Sequence, residues 1–324
     1  MTENSHKLDV SIVFTNWNTR DFMRDCINSV VEKTQGLTYE IIVVDDGSTD
    51  GSVEMLQTEF PDVKIVINEK NLGVAKAYNR GVAQARGIYI QMLNTDMILI
   101  NNAIKILYDF LENHPEAGAC GGWLCNRDLS SQVSYGNFPS FSQAFIDALF
   151  LNDLFPRADL PNRGAIPQET VKAPFETEYL TGASMLIRKG VIDEMGFFDE
   201  TFTSYCEETD FCYRMKHHKK LKLYFVPAAQ IIHFGGASFS NVRKYQIQLL
   251  YSGYNKFLTK HHGFMYSVFT RLLYCFPYFV KMIFHFVQYL IFSDNNKEQK
   301  KTKLLNSWYN VRYSILTNET FTGK

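Results

Sequence analysis

The sequence predicts an α/β protein with a mainly parallel central sheet flanked by helices, followed by a helical C-terminal extension. From residue 8, short β-branched runs alternate with stretches of helical periodicity, which is typical of βαβ units. Several runs are continuously apolar, which indicates strands buried on both faces. The 324 residues are 46% hydrophobic and 15% aromatic, enough for a buried core, so disorder is excluded as the main state.

The predicted elements follow one another in a regular order. Strands are expected at residues 8–14, 39–44, 63–67, 88–93 and 117–123, and helices at 21–33, 52–60, 75–86 and 102–112. The segment 130–177 is interrupted by prolines, so an irregular insertion is expected. A strand, a turn and a helix are expected from Tyr179, then a helix ending at His217 and a strand at 222–226.

Charge, cysteines and the N-terminus exclude several classes of protein. Lys plus Arg number 33 against 34 Asp plus Glu, so a net charge of −1 gives no field for a polyanion and no nucleic-acid partner is expected. The six cysteines match no CxxC or zinc-finger spacing and are predicted to be reduced core residues. The first ten residues lack a signal-peptide core, so the cytoplasm is the expected location.

The C-terminal stretch 264–292 is rich in aromatic and aliphatic residues, but Arg271, Pro277, Lys281 and His285 interrupt it, which disfavours a spanning helix. Two interpretations stay open: helices packed on the preceding domain, or an amphipathic element in a membrane interface. Lys297, Lys300, Lys301 and Lys303 follow it, and RMKHHKKLK lies upstream. Both basic runs suit either an anionic membrane surface or ordinary solvated charge.

The most informative segment is VVDDGSTDGS, where an apolar strand ends at Asp45 and Asp46 and a Gly/Ser loop follows. In open α/β sheets, ligands bind beyond the carboxyl ends of the strands. Turn and N-cap roles are the ordinary alternative for these residue types. Two adjacent carboxylates exceed what a turn requires, so we predict a ligand site here.

Two further segments bring polar groups to the same edge. FTNWN ends the first strand, and the ring face of Trp17 suits a nucleobase while Thr15 offers a hydroxyl. NEKNLGVAK places Asn71, Gly73 and Lys76 at a helix start, where amides and a cation can meet a diphosphate. Neither GxGxxG nor GxxxxGK[ST] occurs, so dinucleotide-binding and P-loop sites have no motif.

Acidic residues mark two more positions. In IYIQMLNTDMIL an apolar strand ends in Asn-Thr-Asp, and a divalent cation bridging Asp96 to phosphate oxygens would offset the burial of its charge. SYCEETDFCYR concentrates carboxylates, and close like charges raise a pKa toward that of a general base. A helix N-terminal turn is the alternative there. His233, before two glycines, suits packing or a phosphate site.

Taken in order, these segments resemble those of the family 2 glycosyltransferases, over roughly residues 8–240. FTNWN resembles the family's first-strand motif, VDDGSTDGS its nucleoside-binding acidic loop, and LNTD the position of its DxD metal motif. YLTGASMLIRKGVIDEMGFFDETF, YCEETDFCYR and HFGGAS resemble the bacterial branch that includes rhamnosyltransferases and other envelope-polysaccharide enzymes. The resemblance implies a Rossmann-like GT-A fold.

The resemblance also implies a domain plan and binding partners. A GT-A domain is expected over 1–240, with a nucleotide-binding half of about 1–125 and an acceptor-binding half of about 126–240, and an aromatic helical extension over 241–324. The implied donor is a UDP- or dTDP-linked sugar, such as a dTDP-rhamnose-like one, and the acceptor a hydroxyl of a glycan or lipid-linked molecule. The implied nucleotide-sugar contacts are Thr15, Trp17, Asn18, Asp45, Asp46, Asn71, Gly73, Lys76, Asn94 and Thr95.

The implied chemistry is an inverting single displacement with Mn²⁺ or Mg²⁺. Glu208 is expected to take the acceptor proton, with Glu207 as the fallback, because the family's acidic pair often ends in Asp but reads Glu-Glu here. The DxD position offers only Asp96 as a carboxylate, so metal affinity is expected either to be lower or to lean on His233. Contacts to the donor or acceptor sugar are expected from Gly182, Asp210 and Arg214.

Two other function classes stay open. A sugar-phosphate nucleotidyltransferase shares the architecture, but FTNWNTRD lacks the Gly-rich basic loop that would hold a nucleoside triphosphate. A non-catalytic sugar-nucleotide-binding module would bind without turnover. If the protein is a glycosyltransferase, the expected location is the cytoplasm, with peripheral association with the inner face of the cell membrane.

Overall fold

The computed structural model describes residues 8–151, 171–202, 204–235, 243–291 and 297–315. It divides into two compact units. The first comprises residues 1–138 and 163–240, and the second comprises residues 139–162 and 241–324. The division of the chain into a GT-A domain with two halves and an extension stays a prediction.

The elements of the N-terminal part alternate between strand and helix. They are β1 (Val10–Asn16), α1 (Arg20–Lys33), β2 (Tyr39–Asp45), α2 (Ser52–Glu59), β3 (Lys64–Ile67), α3 (Val74–Val82), β4 (Tyr89–Leu93), β5 (Met97–Leu99), α4 (Ala103–Asn113) and β6 (Ala117–Cys125). The remaining elements are β7 (Tyr135–Gly136), α5 (Phe141–Ala148), β8 (Phe175–Thr177), β9 (Tyr179–Leu180), β10 (Ser184–Arg188), α6 (Lys189–Met195), α7 (Glu207–His218), β11 (Lys222–His233), α8 (Arg243–His262), α9 (Phe264–Ile291) and α10 (Lys297–Ile315).

A nine-stranded sheet forms the centre of the first unit, in the order β3-β2-β1-β4-β10-β6-β11-β5, with β8 also paired to β11. Strands β3, β2, β1 and β4 run parallel, as does the β6–β11 pair. Strand β10 is antiparallel to both β4 and β6, and β11 is antiparallel to β5 and β8. The predicted α/β class is confirmed, and the antiparallel strands are an addition that the sequence did not predict.

Apolar periodicity explains why helices cover this sheet. Ile104, Leu107 and Leu111 share one face of α4 and are at most 1% exposed, as predicted. Strands β1, β2 and β4 bury apolar side chains on both faces, which is what their continuous apolar runs indicate. The six cysteines are all buried thiols, in agreement with their predicted role in the core.

The predicted irregular insertion is only partly described. Residues 152–170 lie outside the described residues, while the flanking parts contain β7, α5 and β8. Strand β11 extends to His233, seven residues beyond the predicted end at 226, because it continues along β6 and β5 past irregular register between Val226 and Gln230. This extension brings the late histidine to the edge of the sheet.

The second unit is helical, and α9 contacts α5, α8 and α10 within it. Residues 264–290 of α9 are long and apolar enough to cross a membrane by length and composition. These criteria are also met by helices in the cores of water-soluble proteins, which are mostly buried, whereas only 17% of this window is buried. Pro277 lies within the helix.

Polar side chains of α9 face the neighbouring helices. Ser267 and Thr270 are fully buried, and the Ser267 hydroxyl donates to Asn255 Oδ1 over 2.8 Å. His285 Nδ1 lies 3.0 Å from the hydroxyl of Ser307 on α10. Twelve large apolar side chains of this helix are exposed: Phe264, Met265, Phe269, Leu272, Phe276, Phe279, Val280, Ile283, Phe284, Phe286, Val287 and Leu290. The amphipathic pattern is therefore the reverse of that in a water-soluble bundle.

Candidate active site

The carboxyl ends of β1 and β2 form the first part of the site. Parallel pairing places Asn16 directly beside Asp45. Asn16 Nδ2 donates to Asp45 Oδ1 over 2.8 Å and to the Ser48 hydroxyl over 3.0 Å. Ser48 N donates to Asp45 Oδ2 over 2.9 Å. The buried Asp45 carboxylate therefore shapes the Gly/Ser loop that follows it.

The Asp46 carboxylate ties a second loop to this edge. Asp46 is 4% exposed, and its Oδ1 accepts from Asn68 Nδ2 over 2.8 Å and from Leu72 N over 2.9 Å. Its Oδ2 accepts from Gly73 N over 3.1 Å. A buried carboxylate is stabilised by several donors of this kind. The residues predicted to bind a nucleotide sugar in these two loops are thus neighbours in the structure.

The start of α3 adds an amide and a cation at the surface. Gly73, with φ of +89°, directly precedes the helix, and its N–H also donates to Asn71 Oδ1 over 3.0 Å. A positive φ of this kind is easily adopted only by glycine. Asn71 and Lys76 are exposed. The arrangement leaves an ammonium group and a helix N-terminus available to an anionic ligand.

The turn after β1 leaves an aromatic ring at the surface. Asn18 has φ of +53°, its N–H donates to the Ser48 hydroxyl over 2.9 Å, and its Oδ1 accepts from Thr49 N over 2.8 Å. Trp17, held in this turn, is 39% exposed. Thr15 is half-buried and hydrogen-bonds Tyr78. Of these predicted contacts, Trp17 offers the largest apolar face.

An acid and a histidine meet at the end of β11. Antiparallel pairing of β5 with β11 sets His233 opposite Met97, so Asp96 is adjacent. Asp96 Oδ1 lies 3.5 Å from His233 Nε2, and Phe234 N donates to the Asp96 carbonyl over 3.0 Å. Thr95, the preceding residue, is also buried. Two residues predicted as metal ligands, 137 positions apart in sequence, are brought together here.

Two further contacts hold the polar triplet at the end of β4. The Thr95 and Thr19 hydroxyls lie 2.8 Å apart, which links the triplet to the start of α1. Asn94 N donates to the Ala183 carbonyl over 2.9 Å, which links it to the segment before β10. Buried hydroxyl and backbone groups are satisfied by such bonds. The predicted role of Asn94 and Thr95 in nucleotide-sugar binding stays a prediction.

Gln132 is a member of this cluster that sequence reasoning missed. Its Nε2 donates to the His233 carbonyl and to Asn126 Oδ1, each over 2.6 Å. Its Oε1 lies 2.9 Å from His233 Nδ1. No motif or spacing singles out Gln132, because it comes from the segment predicted to be irregular.

The pair of Asp96 and His233 fits a divalent cation. A carboxylate oxygen and a neutral imidazole nitrogen both bind Mn²⁺, and Mg²⁺ is commonly held by one or two carboxylates with phosphate oxygens completing the shell. Within the described ranges, no group of three His, Cys, Asp or Glu side chains could hold a metal. These two coordinating side chains therefore suit a metal site whose coordination shell is completed by the diphosphate of a bound ligand.

The acidic helix α7 begins with unusual backbone geometry. Tyr205 and Cys206 have φ of +67° and +70°, and the left-handed region costs non-glycine residues about 1–3 kcal/mol each. Glu207 is buried, and this burial, followed by the charge of Glu208, raises the pKa of Glu207 well above its ordinary value. The neighbouring Glu208 is half-buried. Glu207 is therefore harder to ionise than an exposed glutamate.

Gly182 lies directly against Glu208. A Cβ added to Gly182 would be 3.2 Å from both Cβ and Cγ of Glu208, tighter than ordinary van der Waals contact. A side chain at position 182 would require Glu208 to shift by a few tenths of an ångström. Gly182, predicted as a sugar contact, is thus adjacent to the predicted base.

Asp210 and Arg214 form a buried ion pair on α7. Arg214 Nε lies 2.8 Å from Asp210 Oδ2, and the Asp210 side chain is 0% exposed. The Arg214 guanidinium also donates to the carbonyls of Met195, Gly196 and Phe197. The pair braces α7 against the turn after α6. Its predicted role in sugar binding stays a prediction.

A family model settles the affiliation of this chain. The model described as Glycosyl transferase family 2 matches residues 11–196, more than half of the chain. The chain belongs to glycosyl transferase family 2. The family match spans the Asp45–Asp46 loop, Asp96 and Gly182, and it ends before the acidic helix α7.

Relatives of this family 2 chain come from bacteria. N-acetylglucosaminyl-diphospho-decaprenol L-rhamnosyltransferase of Mycobacterium tuberculosis is 29% identical over 206 residues, which cover 60% of this chain and 66% of that protein. Glycosyltransferase GlyG of Streptococcus pneumoniae is 34% identical over 132 residues, covering 40% and 42%. The chain thus spans less than two thirds of either relative's length. The predicted resemblance to bacterial envelope-polysaccharide enzymes is confirmed.

A solved structure shares the fold of the family 2 chain. The crystal structure of GalNAc-T7 with UDP, GalNAc and Mn²⁺ has a TM-score of 0.59 at 17% identity, covering 94% of this chain and 56% of that one. At this identity the likeness concerns the fold alone. It confirms the predicted GT-A-type architecture.

Proposed function

We propose that this protein is a metal-dependent, inverting hexosyltransferase. It moves a sugar from a UDP- or dTDP-linked donor, such as a dTDP-rhamnose-like one, to a hydroxyl of a glycan or lipid-linked acceptor in cell-envelope polysaccharide synthesis. The observation that carries the proposal is the 3.5 Å approach of Asp96 Oδ1 to His233 Nε2 beside the two nucleotide-binding loops. Family membership and the named rhamnosyltransferase relative support it.

Donor binding is assigned to the edge formed by β1, β2 and α3. The exposed face of Trp17 stacks on the base, and the loops organised by Asp45 and Asp46 surround the nucleoside. Lys76 and the start of α3 bind the diphosphate electrostatically. Asp46 contributes by holding residues 68–73 in place, because its carboxylate already accepts from that loop.

Asp96 and His233 hold the divalent cation together with the diphosphate. When bound, the cation supplies positive charge that offsets the negative charge growing on the leaving nucleoside diphosphate. Asp96 and His233 would keep this charge at one fixed point, since His233 ends β11 and Asp96 directly precedes β5, the strand paired with it. Electrostatic stabilisation of this kind costs little reorganisation during the reaction.

Glu208 serves as the general base. The acceptor oxygen attacks the anomeric carbon, the bond from that carbon to the diphosphate oxygen breaks, and the acceptor proton passes to the Glu208 carboxylate. Attack opposite the leaving group inverts the anomeric configuration. Burial, followed by the charge of Glu208, raises the pKa of Glu207, and Glu207 stays the fallback base.

Peripheral membrane association completes the proposal, with the protein at the cytoplasmic face where a lipid-linked acceptor is accessible. The exposed apolar stripe of α9 supports this association, because it is a large apolar surface and a run of lysines follows the helix in sequence. The upstream basic run is less suited to this role. Lys216 and Lys222 pair with Glu176, and Lys219 pairs with Glu194.

Nucleotide binding tests the donor site. Purified protein is heated with UDP, dTDP, GDP or CDP, each with and without Mn²⁺ or Mg²⁺, because a ligand at 100 times its Kd adds about 2.7 kcal/mol of stability. We expect metal-dependent stabilisation by UDP or dTDP that is lost in Asp96→Ala and Asp46→Ala. Asp62→Ala, at an exposed position, is the control and should behave as wild type. The absence of any nucleotide response would overturn the proposal.

Turnover with a matched acceptor tests the base. Glu208→Gln should lower kcat by roughly 10²–10⁴-fold while the nucleotide response persists. Glu54→Gln, on the exposed surface of α2, should leave kcat unchanged. Loss of nucleotide affinity in Glu208→Gln without loss of kcat would contradict the assignment.

A further inference from the structure

We propose that Gln132 is a positioning residue for the metal site: it holds His233 in the tautomer that carries its proton on Nδ1 and so presents the Nε2 lone pair beside Asp96. This inference rests on the metal-binding role given to Asp96 and His233 in the proposed function. Gln132 itself contacts neither the nucleotide sugar nor the metal in this scheme, since it acts through the imidazole ring of His233.

The hydrogen-bond geometry fixes the orientation of the Gln132 amide. Its nitrogen lies 2.6 Å from the His233 backbone carbonyl, which can only accept, and 2.6 Å from Asn126 Oδ1. The Gln132 carbonyl oxygen must therefore be the atom 2.9 Å from His233 Nδ1. An amide oxygen only accepts, so Nδ1 carries the proton.

The tautomer decides what the other ring nitrogen can do. With the proton on Nδ1, the neutral imidazole has its lone pair on Nε2, the atom 3.5 Å from Asp96 Oδ1. The Nε2 lone pair and the Asp96 carboxylate oxygen, both electron-pair donors, then face each other. Both side chains are largely buried, with Asp96 9% and His233 19% exposed. Such a pair is suited to a shared cation, and an acceptor on the far nitrogen of a ligating histidine raises its basicity.

Gln132 is itself held firmly. Its backbone N–H donates to the Leu124 carbonyl over 2.8 Å, and Asn126 N donates to the Ser130 carbonyl over 2.8 Å, so the turn between them is closed by main-chain bonds. The Asn126 side chain donates to the Ser130 hydroxyl over 2.8 Å. The amide thus approaches His233 from a fixed backbone, which is what a positioning role requires.

A purely structural role for Gln132 is the competing explanation, because its bond to the His233 carbonyl also closes the end of β11. Asn101 provides the matched control. Its Nδ2 donates to the Ala228 carbonyl over 2.8 Å and its Oδ1 accepts from Gln230 N over 3.1 Å, so it too is an amide that braces β11. It contacts neither proposed metal ligand. Asn101→Leu should therefore affect stability without affecting metal affinity.

The first measurement is Mn²⁺ affinity, by electron paramagnetic resonance titration of the full chain in the presence of UDP or dTDP. Gln132→Met should weaken Mn²⁺ binding by about 10–100-fold, the usual effect of losing an outer partner of a ligating histidine. In a His233→Ala background the same change should have no further effect.

The second measurement reads the tautomer directly, by long-range ¹H–¹⁵N correlation of the histidine rings without metal. The His233 ring, assigned by its absence in His233→Ala, should show a proton on Nδ1 in the wild type and a shift toward Nε2–H in Gln132→Met. Asn101→Leu should leave the wild-type pattern in place. These spectra require folded protein only, so they test Gln132 even if the metal site of the proposed function fails.

The outcomes separate the two proposals. If Asp96→Ala and His233→Ala abolish Mn²⁺ binding while Gln132→Met keeps both the affinity and the Nδ1–H pattern, the role of Gln132 is overturned and the proposed function stands. If the wild type binds no Mn²⁺ with either nucleotide, the metal site of the proposed function is overturned, and the spectra alone then decide whether Gln132 sets the tautomer of His233. If Gln132→Met does not fold, the wild-type spectrum decides, since a proton on Nε2 of His233 contradicts tautomer control.

Discussion

At the scale of single residues, the contacts of the two loop carboxylates are informative. Asp45 and Asp46 were predicted as ligand groups because two acids after a buried strand exceed what a turn needs. Both carboxylates also accept hydrogen bonds from main-chain N–H groups and side-chain amides, so they hold the two loops in their conformations. Their substitution should therefore act through loop position as well as through any direct contact with a ligand.

The close contact between Gly182 and Glu208 gives the first prediction at this scale. Gly182→Ala adds a Cβ within 3.2 Å of Glu208 and should displace the carboxylate. We expect kcat to fall by roughly 10–100-fold, because small misplacements of a catalytic group have effects of that order. Thermal stabilisation by the nucleotide and metal should be unchanged. Both values come from steady-state kinetics and the nucleotide panel.

Gly190 supplies the control for this substitution. Nothing lies within 4 Å of a Cβ added to Gly190, and it belongs to helix α6. Gly190→Ala should keep full activity and raise stability slightly, since alanine is favoured over glycine in a helix. A fully active Gly182→Ala would show that Glu208 tolerates displacement or is not the base.

At the scale of secondary structure elements, one ion pair anchors the helix that carries the acidic residues. Arg214 links Asp210 on α7 to three carbonyls in the turn after α6. Arg214→Met leaves the buried Asp210 charge without this guanidinium and should destabilise the protein by about 3–5 kcal/mol. Urea denaturation would measure the change.

A second variant tests the coupling between the two charges. In an Asp210→Asn background, Arg214→Met should cost markedly less than in the wild type, because the buried charge is already gone. Additive effects of the two changes would show that Arg214 acts on the turn after α6 independently of Asp210.

At the scale of the whole molecule, the two units differ in the character of their surfaces. The exposed stripe of α9 in the second unit consists of large apolar side chains, whereas polar groups of the same helix are buried against α8 and α10. The protein should float with vesicles that contain phosphatidylglycerol. Phe276→Glu combined with Phe279→Glu should reduce binding at least tenfold, because each buried phenylalanine contributes about 1.5–3 kcal/mol.

The control places a charge on an exposed apolar residue of the other unit. Val31 on α1 is 55% exposed, and Val31→Glu should float as the wild type does. Sedimentation velocity without vesicles distinguishes membrane binding from self-association through the same stripe. Equal flotation of the wild type and the double variant, or a dimer that the double variant dissociates, would contradict the membrane role.

The sequence by itself determined the α/β class, the order of strands and helices up to β6 except for the short strand β5, and the site motifs at strand ends. Each depends on local periodicity or on polar residues placed where a buried strand stops. The tertiary structure alone decided the antiparallel position of β10, the extension of β11 to His233 and the contact of Gln132 with that histidine. Those features depend on pairings between residues about a hundred positions apart, which no local pattern records.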